Sequence, residues 1–344
     1  MSAPDSPDPD IPAIVTLPAQ DRLGVLSATA DVVRATRLVR LDHGALDGLA
    51  ARWARDPWPE QAGLDALHFT DGTPRTANWV LLLDALNFCF WPDVGAPRWR
   101  VEWRGDSYDG YAALAAALTH AVEQGRPLWD ATYLAQIDDD DLRDILRYPP
   151  EAAEIPLFEA RLANVREVGR VLCATYGAQF TNAIESVSGS AVALAWLLAR
   201  EFPSFHDVTH WRGQPIPFLK RAQICVADLN AAFGGVSWGA FTDLDQLTAF
   251  ADYKLPQLLR RAGALVYAPE LAARVDAYAP IAAGSEEEIA IRAATVWAVE
   301  LLRRALAERD IQRTPAAIDY RLWAESQAKA PDERPYHRTR TMYY

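Results

Sequence analysis

The chain has 344 residues, half of them hydrophobic and 23% charged, which is material for one large packed domain or two ordinary ones. Its formal charge of −12 excludes the broad basic footprint that gripping a polymeric nucleic acid requires, and leaves room only for a local basic pocket around a single phosphate. The three cysteines show no CxxC spacing and the six histidines are scattered, so neither a metal box nor a bound cofactor is expected, and the odd number of thiols in apolar patterns points to a reducing, cytoplasmic setting.

Residues 1–10 are acidic and proline-rich, without the basic start and apolar run of a signal peptide, and are expected to form a disordered tail. Residues 11–344 are expected to form one helical unit, or two lobes meeting at the proline-rich stretch near 148–156. Periodicity predicts helices near 21–35, 43–55, 75–90, 108–124, 139–147, 156–176, 183–200, 218–233, 244–262, 286–309 and 315–328. Arg98 to Arg104, RWRVEWR, alternates and predicts a small β ribbon, paired with Leu38–Leu41 or Leu67–Thr70. The fold class is therefore mostly α. The longest apolar stretch, Val192–Ala199, falls far short of a bilayer core of about 30 Å, so no membrane partner is expected.

Several polar runs have structural explanations. Asp138–Asp141, Glu286–Glu288 after Ser285, and Thr314 before Pro315 all sit where helices begin, as caps and favourable first-turn charges. The stretch 78–91, NWVLLLDALNFCFW, is apolar on nearly every side and is expected to be central and buried. Asp84 and Asn87 within it either tie the core together or line a cavity, and the first reading is preferred. Helix 218–233 carries a stripe of Leu219, Ala222, Val226, Leu229 and Phe233; Lys220 lies off it, so the helical wheel predicts a solvated lysine.

Residues 239–263, GAFTDLDQLTAFADYKLPQLLRRAG, hold the most information. Asp243 and Gln246 have capping-box spacing and predict a helix opening at Leu244. Leu247, Ala251, Leu255, Leu258 and Ala262 continue it as a stripe, but Pro256 removes the donor to the carbonyl of Asp252 and crowds it. Asp252 therefore sits at a kink, or caps a second helix that ends at Gly263. Spacing alone favours an ordinary N-cap.

With these segments in hand, the sequence resembles the queuosine salvage protein family, the queuosine 5′-phosphate N-glycohydrolases. The matching pieces are NWVLLLDALNFCFW at 78–91, FPSFHD at 202–207, FLKRAQICVADL at 218–229, LTAFADYKLPQLL at 247–259 and IDYRLW at 318–323, in order over most of the chain. The resemblance implies an all-helical fold distantly like helix-hairpin-helix DNA glycosylases. It implies a catalytic carboxylate at Asp252, with Phe250 near the base, and further ligand contacts at His68, Asp319 and Tyr320. One departure touches recognition of the base's side group: where the family often carries an acid after the last tryptophan, this chain has Ala324.

The activity so implied is release of queuine from queuosine 5′-phosphate, a small-molecule nucleotide, through an oxocarbenium-like sugar that Asp252 would stabilise or capture. Queuine carries a carbon in place of the purine N7, so protonation there cannot help the base leave. Candidate phosphate ligands are Lys254 and Lys220, ranked above the run His337, Arg338 and Arg340. The competing readings are a DNA or RNA base glycosylase, and a non-catalytic protein that binds a modified nucleobase.

Overall fold

The computed structural model describes residues 15–59, 66–146, 153–328 and 333–344. The expected tail at 1–10 and the residues 148–152 of the expected lobe boundary lie outside the described residues. In chain order the elements are α1 (Val25–Ala35), β1 (Val39–Leu41), α2 (His43–Trp53), α3 (Pro74–Ala85), β2 (Arg100–Trp103), β3 (Asp106–Asp109), α4 (Gly110–Glu123), α5 (Ala131–Gln136) and α6 (Asp139–Leu146). There follow α7 (Phe158–Thr175), α8 (Phe180–Ser186), α9 (Ala191–Glu201), β4 (Val208–Trp211), β5 (Gln214–Pro217), α10 (Lys220–Ala232), α11 (Lys254–Arg261), β6 (Leu265–Tyr267), α12 (Pro269–Asp276), α13 (Glu286–Ala307) and α14 (Pro315–Gln327). The fold is mostly α, with three small antiparallel strand pairs. No helix among the described residues is long and apolar enough to cross a membrane.

Two compact units share the chain discontinuously. Unit 1 takes the chain to Trp58, Val208–Phe218 and Asp245–Thr339; unit 2 takes Pro59–Asp207, Leu219–Leu244 and Arg340–Tyr344. Unit 1 is organised on α13, which packs against α1, α2, α11 and α14. Its residues from Glu288 to Glu300 are buried on every face, the charged Glu288, Arg292 and Glu300 among them. Trp297 Nε1 donates to Thr29 Oγ1 at 3.1 Å, pinning α1 to it. The strand at residues 39–41 pairs with β6, not with the RWRVEWR segment, Val39 facing Tyr267. That segment forms its hairpin locally with β3, because a two-residue turn at Arg104 and Gly105 brings Trp103 opposite Asp106.

Unit 2 is organised on α3, buried without a break from Thr76 to Ala85, as its all-round apolar sequence requires. Helices α10, α7 and α8 surround it. The helix expected over 183–200 is two, α8 and α9, parted at Ser188 and Gly189, which both take positive φ. Helix α5 packs closely on α7 at Gly169, where an added Cβ would overlap Ala135 N and press on Ala131 O at 2.6 Å. Both obstacles are backbone. Gly169→Ala is therefore expected to lower stability by about 3 kcal/mol, read from urea unfolding, because the helices must part to admit one methyl. An unchanged midpoint would show that α5 can slide away freely.

The predicted helix over 244–262 is a correction. Leu244–Gln246 makes a single 3-10 turn, residues 247–253 are irregular, and α11 starts only at Lys254. Asp243 does cap a helix, but a distant one: its carboxylate accepts from Ala191 N at 2.5 Å and Ser190 Oγ at 2.8 Å, at the start of α9. Pro256 is the third residue of α11, where its missing N–H had no intrahelical partner to lose, so no kink forms.

Candidate active site

Residues 247–251 and Tyr253 are all buried, yet they belong to no helix or ladder, so their backbone polar groups need side chains as partners. In unit 1, Phe250 N donates to Asp319 Oδ2 at 2.7 Å, and Ala251 O accepts from Arg292 Nε at 3.0 Å. Arg292 is 2% exposed and pairs with Glu288 one turn earlier on α13, at 3.4 Å. Asp252 follows at once. Its Oδ1 accepts from Lys254 N at 2.8 Å and Leu255 N at 2.9 Å, so the half-buried carboxylate caps α11. The positive end of that helix stabilises the carboxylate's charge. Of the two local readings, the cap holds and the kink does not; α11 ends as expected at Ala262 and Gly263, the latter at φ +76°.

The structure thus brings together Phe250, Asp252, Lys254 and Asp319 of the expected site within unit 1. Tyr320, half-buried on α14, stacks on Trp323 at 6.0 Å between ring centroids. Lys254 Nζ reaches Gln257 Oε1 at 3.3 Å and lies 5.6 Å from the Tyr336 ring.

His68 and Lys220 belong to unit 2, in a second polar cluster. His68 Nε2 meets Tyr111 Oη at 3.0 Å, and that hydroxyl donates to Asp228 Oδ2 at 3.2 Å. The wheel's solvated Lys220 is overturned, since it is 5% exposed and its Nζ donates to Asn87 O at 3.3 Å. The wheel assumes one buried face, but at its start α10 is buried around Lys220, Arg221, Ala222 and Gln223 alike. What draws the cations in is the C-terminal end of α3, whose last carbonyls have no helical partner. Arg221 donates to Asp84 O at 3.1 Å and Ala85 O at 2.6 Å, and also to Ser204 O. Arg161 donates to Leu86 O, Phe88 O and Cys89 O, and Asn164 to Ala85 O. Arg221 is thereby committed to the backbone, and burial lowers its pKa to about 10.

Asp84 is fully buried beside these groups, with Asn87 Nδ2 at 3.5 Å from Oδ1 as its weak side-chain partner. Burial, and then the charge of Asp228, raise its carboxyl well above the usual range, against the pull of Lys220, Asn87 and Arg221. Asp84 thus lies in the core beside Lys220, where burial favours its neutral form. Tyr111 and Arg292 lie outside the motifs that resemble the family, and Asp228, inside FLKRAQICVADL, is not singled out by spacing; only packing brings the three to these positions.

Of the C-terminal candidates, Arg340 pairs with Asp93 at 2.5 Å and Arg338 lies 5.0 Å over Tyr278. His337 is buried, and desolvation, then Arg292, lowers its pKa from 6.5 to about 3, so it is neutral near pH 7. Below pH 6.5 the unfolded chain binds a proton that the folded one refuses until about pH 3, so this group erodes stability as pH falls through that window. The expected slope is about 1.4 kcal/mol per pH unit, and His337→Gln should flatten it in urea titrations between those limits. An identical pH dependence in the variant would assign the acid loss to other groups.

Among the described residues no group of three or more His, Cys, Asp or Glu side chains is placed to hold a metal ion. A family model described as "Queuosine salvage protein" matches residues 67–344. A protein of Sphaerobacter thermophilus named queuosine 5′-phosphate N-glycosylase/hydrolase is 48% identical over 324 residues, 94% of this chain and 98% of its own. Proteins of the same name from Mus musculus and Bos taurus are 35% and 37% identical, over 86% and 82% of this chain and 89% and 86% of their own.

Proposed function

Because the chain belongs to the queuosine salvage protein family, we propose that it hydrolyses the N-glycosidic bond of queuosine 5′-phosphate and releases queuine for reuse in transfer RNA modification. The bond between the base nitrogen and C1′ breaks with its electron pair on the base. The oxygen of water joins C1′, and a water proton ends on the base. The cationic sugar between these events needs a fixed negative charge, because the base has no N7 to protonate. Asp252 is assigned that role. The observation that carries it is the carboxylate itself, anchored through Oδ1 by two backbone N–H groups in a loop whose peptides are held by buried charges.

On the strength of the resemblance, Phe250 is assigned to the base and Asp319 and Tyr320 to further ligand contacts; for His68, in unit 2, the resemblance alone implies a ligand contact. Asp319 serves Phe250 N in addition. Lys254 and Lys220 are assigned to the phosphate, with Lys254 ahead because it is half-buried while Lys220 is almost wholly buried.

Lys254→Met is expected to raise KM for the nucleotide by about 10- to 100-fold and to leave the free nucleoside unaffected, since only the nucleotide has the phosphate charge to lose. Equal effects on both substrates would remove Lys254 from phosphate binding. The reading as a whole is tested by mass spectrometry of products from the free nucleoside, the 5′-nucleotide and intact transfer RNA. Fastest release from the nucleotide supports it; release from transfer RNA alone would favour the glycosylase on polymers.

A further inference from the structure

The Ala251 carbonyl belongs to the peptide that joins Ala251 to Asp252, so whatever fixes that carbonyl fixes the backbone from which the Asp252 side chain departs. Arg292 Nε holds it at 3.0 Å. The guanidinium is 2% exposed and lies 4.0 Å over the Phe218 ring, and its carboxylate partner Glu288 is 3% exposed. Glu288 is itself tied down, since its Oε2 accepts from Gly284 N at 2.8 Å. Two peptides earlier, Asp319 holds Phe250 N at 2.7 Å. Beyond Asp252, its own Oδ1 is held by Lys254 N and Leu255 N. The carboxylate is therefore constrained from three sides, two of them by buried charges. A water or a hydroxyl would satisfy one carbonyl with less desolvation than a buried ion pair requires. What the guanidinium adds is direction: it is planar, and Glu288 and Phe218 set its plane.

We propose that Arg292 is a positioning residue for glycosidic cleavage, aiming Asp252 through the Ala251 peptide, with Glu288 holding the guanidinium in plane. The inference rests on the assignment of Asp252 to the reacting sugar. A displacement of about 1 Å in such a group costs roughly 100-fold in rate while leaving substrate affinity nearly intact.

The test uses the full chain and queuosine 5′-phosphate, and wild-type release is measured first; without it the proposed function fails, whatever the variants do. With wild type active, Arg292→Ala is expected to lose about 100-fold in kcat while KM stays within about threefold. Methylguanidinium in the buffer should restore part of that kcat, and methylammonium should not, because only a planar fork can span the Ala251 carbonyl and Glu288. Should Arg292→Ala fail to fold, Glu288→Gln with Arg292→Met keeps the site neutral and filled, and the same loss confined to kcat is expected. Wild-type kcat in either folded variant would overturn the proposal. So would a loss in which KM rises as much as kcat falls and methylguanidinium restores nothing.

Discussion

Asp252→Asn is expected to fold normally and to lose at least about 100-fold in kcat for queuine release. The two expectations come from different atoms of one side chain. An asparagine carbonyl can still accept from Lys254 N and Leu255 N, so the cap on α11 survives and the melting temperature should move little. The negative charge assigned to the developing sugar cation does not survive, and a neutral amide cannot replace it. Melting measured beside product release separates the two effects. Near-normal turnover in a well-folded variant would leave Asp252 as a helix cap alone.

The largest expected effect on stability is at Arg161, in unit 2. Arg161→Met retains much of the stem's apolar packing but abandons the carbonyls of Leu86, Phe88 and Cys89, all buried where the chain leaves α3. It also gives up the guanidinium's place 4.2 Å over the Phe88 ring. Each unsatisfied buried carbonyl costs about 1–3 kcal/mol, and losses that share one donor do not add fully, so about 4 kcal/mol is expected in urea unfolding. A loss below about 1 kcal/mol would mean that water enters and takes over the carbonyls.

These two residues also mark what a sequence can and cannot disclose. Asp252 is legible as a cap because its evidence is local: a proline that fits a first turn and a glycine past the last one bound α11 on both sides. The burial of α3 is legible because nearly every residue in it is apolar, whatever its partners are. Residues 247–253 mislead because Leu247 and Ala251 fall at helical spacing from Leu255, and a buried irregular strand of chain shows the same composition as a buried helix. Asp243 has its role predicted and its helix mistaken, since its true partners are 52 and 53 residues away. Lys220, Arg161 and Arg221 look solvated because cations usually are; only the open end of α3 explains their burial. Arg292 sits in the run EEEIAIRAATVW, where a charge one turn after a capped acidic start looks like surface, and its value depends on a loop forty-one residues earlier.

The most direct measurement is the product balance from purified protein incubated with queuosine 5′-phosphate in water. Equal amounts of queuine and ribose 5-phosphate, formed by wild type and nearly absent with Asp252→Asn, are the predicted result. Recovery of intact nucleotide, or of queuosine and inorganic phosphate in place of the free base, would contradict it.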